Sequence, residues 1–266
     1  MALDPGSARV KEIARLSQKD ARYETGLFLL EGPQGLKELT HYPELAQEIF
    51  VTEVAAERYS EEIAALSGAG VSVEQVSSRV MEKIADTKTP QGIVSVVHHV
   101  DVEFSEVVQA SPKLVVLLDR IQDPGNAGTI IRAADAAGAD AVIFSVGSVD
   151  PYNSKVVRST AGSLLNVPIS LGVEMTTAIG ELQEAGVQVF STSSKGESLA
   201  ELPGGTLQGP CAWIFGNEAG GVDPELASMA DKTVSIPIYG SAESLNLATA
   251  ASVCLYFTAF AQRANH

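Results

Sequence analysis

Two rhythms of apolar and polar positions alternate along this chain. From Ala8 to about Val100 an amphipathic opening helix is followed by GLFLLEG as a strand, PQGLKELTHY as a helix and QEIFVTE as a strand. The rhythm continues with ERYSEEIAALSGAG as a glycine-closed helix, VSVEQVS as a strand, SSRVMEKIAD as a capped helix and QGIVSVVHHV as a β-branched strand. Residues 8–100 therefore predict a small α/β domain. Periodicity is lost over DVEFSEVVQASP, which reads as a linker at 101–112.

A second domain is predicted over 113–266. LVVLLD and AVIFS are continuous apolar runs on either side of the helical TIIRAADAAG, the pattern of a βαβ unit in a parallel sheet buried on both faces. Further strands are expected at VQVFSTS, CAWIFG and TVSIPI, and helices at SKVVRSTAGSLL, DPELASMA and SLNLATAASVCLYFTAF. Together they predict a doubly wound α/β layer, in which ligands sit beyond the carboxyl ends of the strands.

Composition adds limits. The 266 residues are 45% hydrophobic, enough for a buried core in each of two modest domains. The start has no uninterrupted apolar stretch of the secretory kind, so a cytoplasmic protein is expected, with residues 1–7 as a tail. Residues 245–261 are uncharged but rich in Ala, Ser, Thr and Asn, and they read as a buried helix in a soluble fold rather than a membrane span. Cys211 and Cys254 lie singly in apolar runs, as core thiols do, and no disulfide or metal site is expected. The formal charge of -15 opposes a nucleic-acid partner unless basic groups are concentrated locally. Arg9, Lys11, Arg15, Lys19 and Arg22 form such a segment against only Glu12 and Asp20, readable either as a solvated helix face or as an RNA contact.

Three glycine-bearing loops, each after a predicted strand, carry polar residues that a plain connection does not need. In DRIQDPGNAGTIIRAAD, Gly125 and Gly128 would allow a tight turn before a helix whose N-terminus favours an anion, with Asn126 and Arg132 projecting from it. Arg132 alone could equally pair with Asp135 on the helix surface. The spacing fits neither a dinucleotide fingerprint nor a phosphate loop. WIFGNEAGGV presents Glu218 at a turn in which Gly216 lets the backbone approach a ligand. SIPIYGSAESLNLATAAS places Ser244 and Asn246 at the start of the last helix, where Ser244 could also be an N-cap.

In this order PGNAGTIIRAA, FGNEAGGV and IPIYGSAESLNLATAAS resemble the three motifs of the SpoU/TrmH class of the SPOUT superfamily, S-adenosylmethionine-dependent RNA 2'-O-ribose methyltransferases. Residues 8–98, through RYETGLFLLEG and KTPQGIVSVV, resemble the substrate-binding domain that precedes the catalytic domain in rRNA-modifying members. The resemblance implies a C-terminal SPOUT α/β trefoil-knot domain, preceded by a small α/β ribosomal-protein-like RNA-binding domain. It implies a homodimer whose active sites draw on both protomers, and an rRNA target in preference to tRNA. It implies cofactor contacts at Gly216, Ile236 and Leu245. It gives Arg132 the substrate phosphate and ribose, with Asn126 and Glu218 orienting that arginine, and Ser244 and Asn246 completing the ring around the ribose. Lys155 and Arg158 are further candidates for RNA phosphates, and Tyr152 for stacking on a base, although it could equally be packed. A non-catalytic RNA-binding dimer of the same knotted fold is the rival reading.

Overall fold

The computed structural model describes residues 3–264, which divide into two compact units, 3–100 with Asp150–Leu165, and Asp101–Val149 with 166–264. The first unit is a four-stranded mixed sheet built from β1 (Leu27–Glu31), β2 (Ala46–Val51), β3 (Ser72–Gln75) and β4 (Ile93–His98), in the order β1-β4-β2-β3. β4 runs antiparallel to both neighbours and β2 runs parallel to β3. The predicted elements are all present, with two helices broken. The opening helix divides into Ala8–Arg15 and Lys19–Thr25, and the third expected helix divides at Tyr59 into Glu53–Arg58 and Ser60–Gly68. Val10, Ile13 and Leu16 from the opening segment pack with Val80, Met81 and Ile84 over the sheet residues Leu29, Phe50, Val94 and Val96.

The expected tail is partly ordered. Ser7 caps the first helix through Val10 N–H, and Leu3 packs against the core of this unit, while residues 1 and 2 lie outside the described residues.

Asp150–Leu165, expected in the second domain, groups with the first, and Arg22 explains how. Its guanidinium is buried, donates to Asp150 through Nη2 at 2.5 Å and Nε at 3.2 Å, and caps the Leu16 and Ser17 carbonyls at 2.9 Å each. Arg22 is therefore a structural cation and not an RNA contact. Tyr152 is likewise buried: its ring stacks on His99 with centroids 3.9 Å apart and its hydroxyl accepts from Val100 N–H, so it offers no face to a base.

In the second unit six parallel strands lie in the order β10-β8-β9-β5-β6-β7. They are β5 (Leu114–Leu118), β6 (Ala141–Ser145), β7 (Ile169–Val173), β8 (Gln188–Ser198), β9 (Cys211–Phe215) and β10 (Lys232–Ser235). β5, β6 and β9 are buried along their whole length, as continuous apolar runs require. β7 and the helix Met175–Glu184 were not read from the sequence. The supposed linker is part of this unit: Asp101 bridges to Ile169, and the helix Phe104–Gln109 buries Val107 in the core beside Val115, Ile143 and Ile179. Burial pushes the thiols of Cys211 and Cys254 up to about 12, so both remain protonated and inert.

The last helix, Leu247–Arg263, buries its small residues Ala248, Ala251, Cys254, Thr258 and Ala259 and packs on the helix Pro124–Ala137. Thr258 accepts from Trp213 Nε1 at 2.9 Å, and Gln262 donates to the carbonyls of Lys113 and Gly209 at the opposite end of the sheet. Among the described residues no helix is long and apolar enough to cross a membrane.

Two stability predictions follow from buried or capping charge. Arg22→Ala leaves Asp150 buried without its cation and is expected to cost about 3–5 kcal/mol in the urea unfolding of the first unit; an unchanged midpoint would mean that Asp150 finds water. Glu174 caps the helix Met175–Glu184: the Thr176 hydroxyl first, then the N–H groups of Thr177 and Thr176, hold its carboxyl at about 2 against an ordinary 4.5. A depressed carboxyl stabilises the fold above its ordinary range and loses that contribution as pH falls through the depressed value. Glu174→Ala should therefore lower the melting temperature near neutrality, by a margin that shrinks as pH falls from 4.5 towards about 2; a margin independent of pH would exclude the charge as its cause.

Candidate active site

The strand order reverses at β5 and β9. The chain leaves β5 towards β6 on one side and leaves β9 towards β10 on the other, so the loops beyond these adjacent strands open a crevice of the kind where α/β sheets bind ligands. A cavity of about 430 Å³ lies there, lined by residues 192–194, 216–218, Gly221, Val222, Ile236, Ile238, residues 243–247, Ala250 and Asn126.

Local irregularities build its walls. The ladder between β8 and β10 jumps from Ser191/Thr233 to Val234/Glu197, so residues 192–196 of β8 bulge out of register with β10 and contribute Thr192, Ser193 and Ser194 to the cavity. Gly216 ends β9 where the chain doubles back on itself: a Cβ there would lie 2.0 Å from the Gly221 carbonyl oxygen. Only glycine permits that approach. The turn is closed by Gly221 N–H to the Asn217 carbonyl at 2.8 Å, and by Ala219 N–H to Asn217 Oδ1 at 3.0 Å.

Glu218 projects from this turn to the entrance of the helix Pro124–Ala137. Its carboxylate accepts from Asp123 N–H at 3.0 Å, Gln122 N–H at 3.3 Å and Asn126 Nδ2 at 3.3 Å. The anions at this entrance are thus the protein's own side chains, Glu218 and Asp123, the latter capping the helix through Asn126 N–H at 2.7 Å. Burial raises the Glu218 carboxyl pKa, but bonds from its own N–H, from Asp123, from Asn126 and from Gln122 outweigh burial and hold it below the ordinary range. Asn126 Oδ1 in turn accepts from Asn246 Nδ2 at 2.9 Å, and Asn246 Oδ1 caps the last helix through Ala248 and Thr249 N–H. Asn246, not Ser244, is therefore the N-cap, and a continuous polar chain runs from Asn246 through Asn126 to Glu218.

Of the residues expected in the site, Asn126, Glu218, Ser244, Asn246, Gly216, Ile236 and Leu245 all line this cavity. Arg132 does not. It is exposed on the helix Pro124–Ala137 and, among the described residues, its side chain makes neither a hydrogen bond nor an ion pair, so the expected pairing with Glu218 is absent and Asp135 takes Asn166 instead. The helix begins at Pro124 and holds Gly125 and Gly128 within it, so the tight turn ahead of it is made by Arg120, at φ +50°. β10 ends at Ser235, leaving Ile236 and Ile238 beyond the strand as cavity wall. Residues 192–194 and Glu243 line the cavity without any spacing signal in the sequence, and Asn217, which lies in the second glycine-bearing loop, takes a turn-closing role that spacing does not reveal.

The expected basic segment lies in the first unit and is largely neutralised. Arg9 pairs with Glu48, and Arg15 lies 3.6 Å from Glu24. Lys19 sits over the Tyr23 ring, and Lys11 is exposed. In the same unit Lys155 is exposed, while Arg158 lies 3.4 Å from Glu31 and 3.7 Å from Asp86. No cluster of His, Cys, Asp and Glu able to hold a metal occurs among the described residues.

The family model for the SpoU rRNA Methylase family matches residues 113–256, more than half of the chain. This chain belongs to that family. An MRM3-like substrate binding domain matches residues 7–95. The family member is 35% identical over 249 residues to the 23S rRNA (guanosine(2553)-2'-O)-methyltransferase RlmP of Bacillus subtilis, covering 93% of this chain and 94% of that one. Its fold matches the AdoMet-bound rRNA methyltransferase of Sinorhizobium meliloti with a TM-score of 0.83 and 30% identity, over 97% and 96% of the two chains. The SpoU methyltransferase AviRb of Streptomyces viridochromogenes, in complex with AdoMet, matches at a TM-score of 0.80 and 26% identity, over 98% and 100%. The mixed sheet of the first unit and the parallel sheet of the second are thus those of a SPOUT methyltransferase with an N-terminal substrate-binding domain.

Gly216→Ala forces a methyl group into the Gly221 backbone and is expected to cost about 1–3 kcal/mol in the unfolding of the second unit. A wild-type midpoint in urea would mean that the 216–222 turn has room to spare.

Proposed function

We propose that this protein is an S-adenosylmethionine-dependent enzyme that methylates the 2'-hydroxyl of a ribose in ribosomal RNA. The observation that carries the reading is the polar chain Asn246–Asn126–Glu218 along the rim of the switch-point cavity. The cavity fits the cofactor in three respects. About 430 Å³ is of small-molecule size. Ile236, Ile238, Leu245, Leu247 and Val222 form an apolar wall suited to an adenine ring. Glu218 and Glu243, with no lysine or arginine in the lining, suit a ligand bearing a sulfonium charge.

The bound cofactor supplies an electrophilic methyl group on sulfur, and the protein has to orient a ribose hydroxyl towards it and manage one proton. Asn126, held from both sides by Asn246 and Glu218, presents its amide in one fixed orientation for that ribose. Ser244 and Asn246 add hydrogen-bonding groups at the same rim. Glu218, already occupied by main-chain and amide donors, acts as the fixed charge that sets this geometry and not as the orienting partner of Arg132. Arg132 holds the substrate phosphate and ribose and stabilises developing alkoxide charge.

Arg132 stands outside the cavity of its own chain and is free of partners among the described residues, which supports a homodimer in which it serves the cavity of a second copy. Tyr256, Phe257 and Phe260 form an exposed aromatic stripe on the last helix, and such a stripe suits a protein interface of this kind. The trefoil knot implied by the family motifs, with the last helix threaded through a loop, belongs to the same reading, as does a cytoplasmic location. RNA engages the first unit through Lys11, Lys19 and Lys155, and through Arg9, Arg15 and Arg158 where phosphate displaces their glutamate and aspartate partners.

The test is transfer of labelled methyl groups from S-adenosylmethionine to rRNA lacking the modification, with the product mapped by nuclease digestion. A 2'-O-methylated ribose is expected, with the rate falling about 10²–10³-fold in Arg132→Ala. Label on a base would overturn the chemistry, and no transfer would leave the non-catalytic RNA-binding dimer.

A further inference from the structure

Between the β5 loop and the turn after β9 stands a residue that neither lines the cavity nor belongs to the motif positions named above. Arg120 adopts a left-handed conformation at φ +50°, uncommon for a residue with a side chain. That conformation directs its main chain to three different side chains. Its N–H donates to Ser145 Oγ at 2.7 Å, while its carbonyl accepts from Asn217 Nδ2 at 2.9 Å and from Gln122 Nε2 at 3.2 Å. Its guanidinium donates to Asp119 Oδ2 at 3.2 Å and to Asp223 Oδ2 at 2.7 Å. Asp223 caps the helix Pro224–Met229 through Glu225 N–H at 2.9 Å, immediately after the glycine turn.

Arg120 therefore holds the turn at both ends, Asn217 through its carbonyl and Asp223 through its guanidinium, with Glu218 between them. Asp119 is nearly buried and fixes the guanidinium from the side of β5. We propose that Arg120, with Asp119 and Asp223, is a positioning clamp that sets where the Glu218 turn meets the entrance of the helix Pro124–Ala137. The clamp thereby controls cofactor affinity without touching the cofactor. This assignment of role rests on the methyltransferase reading, whereas the clamp itself is a property of the free protein.

Two variants separate the parts of the clamp. Arg120→Gly keeps the left-handed backbone and its carbonyl contacts but removes the guanidinium. Asp223→Asn keeps the helix cap through Oδ1 and weakens the charged bond. Hydrogen exchange on the full-length protein without ligand is read at the Gln122, Asp123 and Gly221 amides, the groups that the Glu218 and Asn217 bonds protect. Each variant is expected to speed these amides about tenfold while Val116 and Trp213, in the strands below, keep wild-type protection. S-adenosylmethionine affinity measured by calorimetry is expected to fall about tenfold in each, and the double variant to be no weaker than the weaker single.

Unchanged loop exchange would overturn the proposal, as would equal acceleration in the strands or single-variant effects that multiply in the double. A wild-type protein that binds no S-adenosylmethionine would sink the functional reading alone, because the exchange comparison still decides whether the clamp exists.

Discussion

A carboxylate placed at a helix entrance organises the second unit. The helix Pro124–Ala137 is capped by Asp123, and the chain brings Glu218, from a turn nearly a hundred residues away, to bind the N–H groups of Gln122 and Asp123 just ahead of it. That placement requires the tight turn at Gly216, which in turn requires the absence of a Cβ against Gly221. It fixes Asn126, and through Asn126 the start of the last helix at Asn246. Three loops separated widely in sequence are thus tied together by one charge, and the cavity is the space they leave between them.

Consistency between levels explains why much of this was legible in the sequence. Continuous apolar runs such as LVVLL and AVIFS can be satisfied only in a sheet covered on both faces, and glycine and asparagine beyond such strands have few structural reasons to be there. Seven of the eight residues assigned to the catalytic and cofactor groups, all except Arg132, accordingly line one cavity. What could not be read is pairing. Nothing near Arg22 announces that its partner is Asp150, and nothing near Arg9 announces Glu48, so a cationic segment looked basic although carboxylates from elsewhere balance it. Arg120 escaped attention for a related reason, since its role depends on a backbone conformation that arginine seldom adopts.

The balance of charge also changes how the formal -15 should be understood. Arg15 and Glu24, both well exposed, form a weak pair that exchanges partners readily, whereas the buried Arg22–Asp150 pair does not. The formal charge of an acidic protein therefore says little about which of its cations a polyanion can reach.

The last helix bears a mechanical consequence. Its first residues line the cavity, and at the far end of its 17 residues, over about 25 Å, Gln262 and Arg263 fasten it to the Lys113, Gly209 and Ala137 carbonyls beyond the opposite edge of the strands. It behaves as a tie rod spanning the sheet from end to end. The mouth of the cavity and the floor of the sheet are thus joined by one rigid element, and neither can shift without the other.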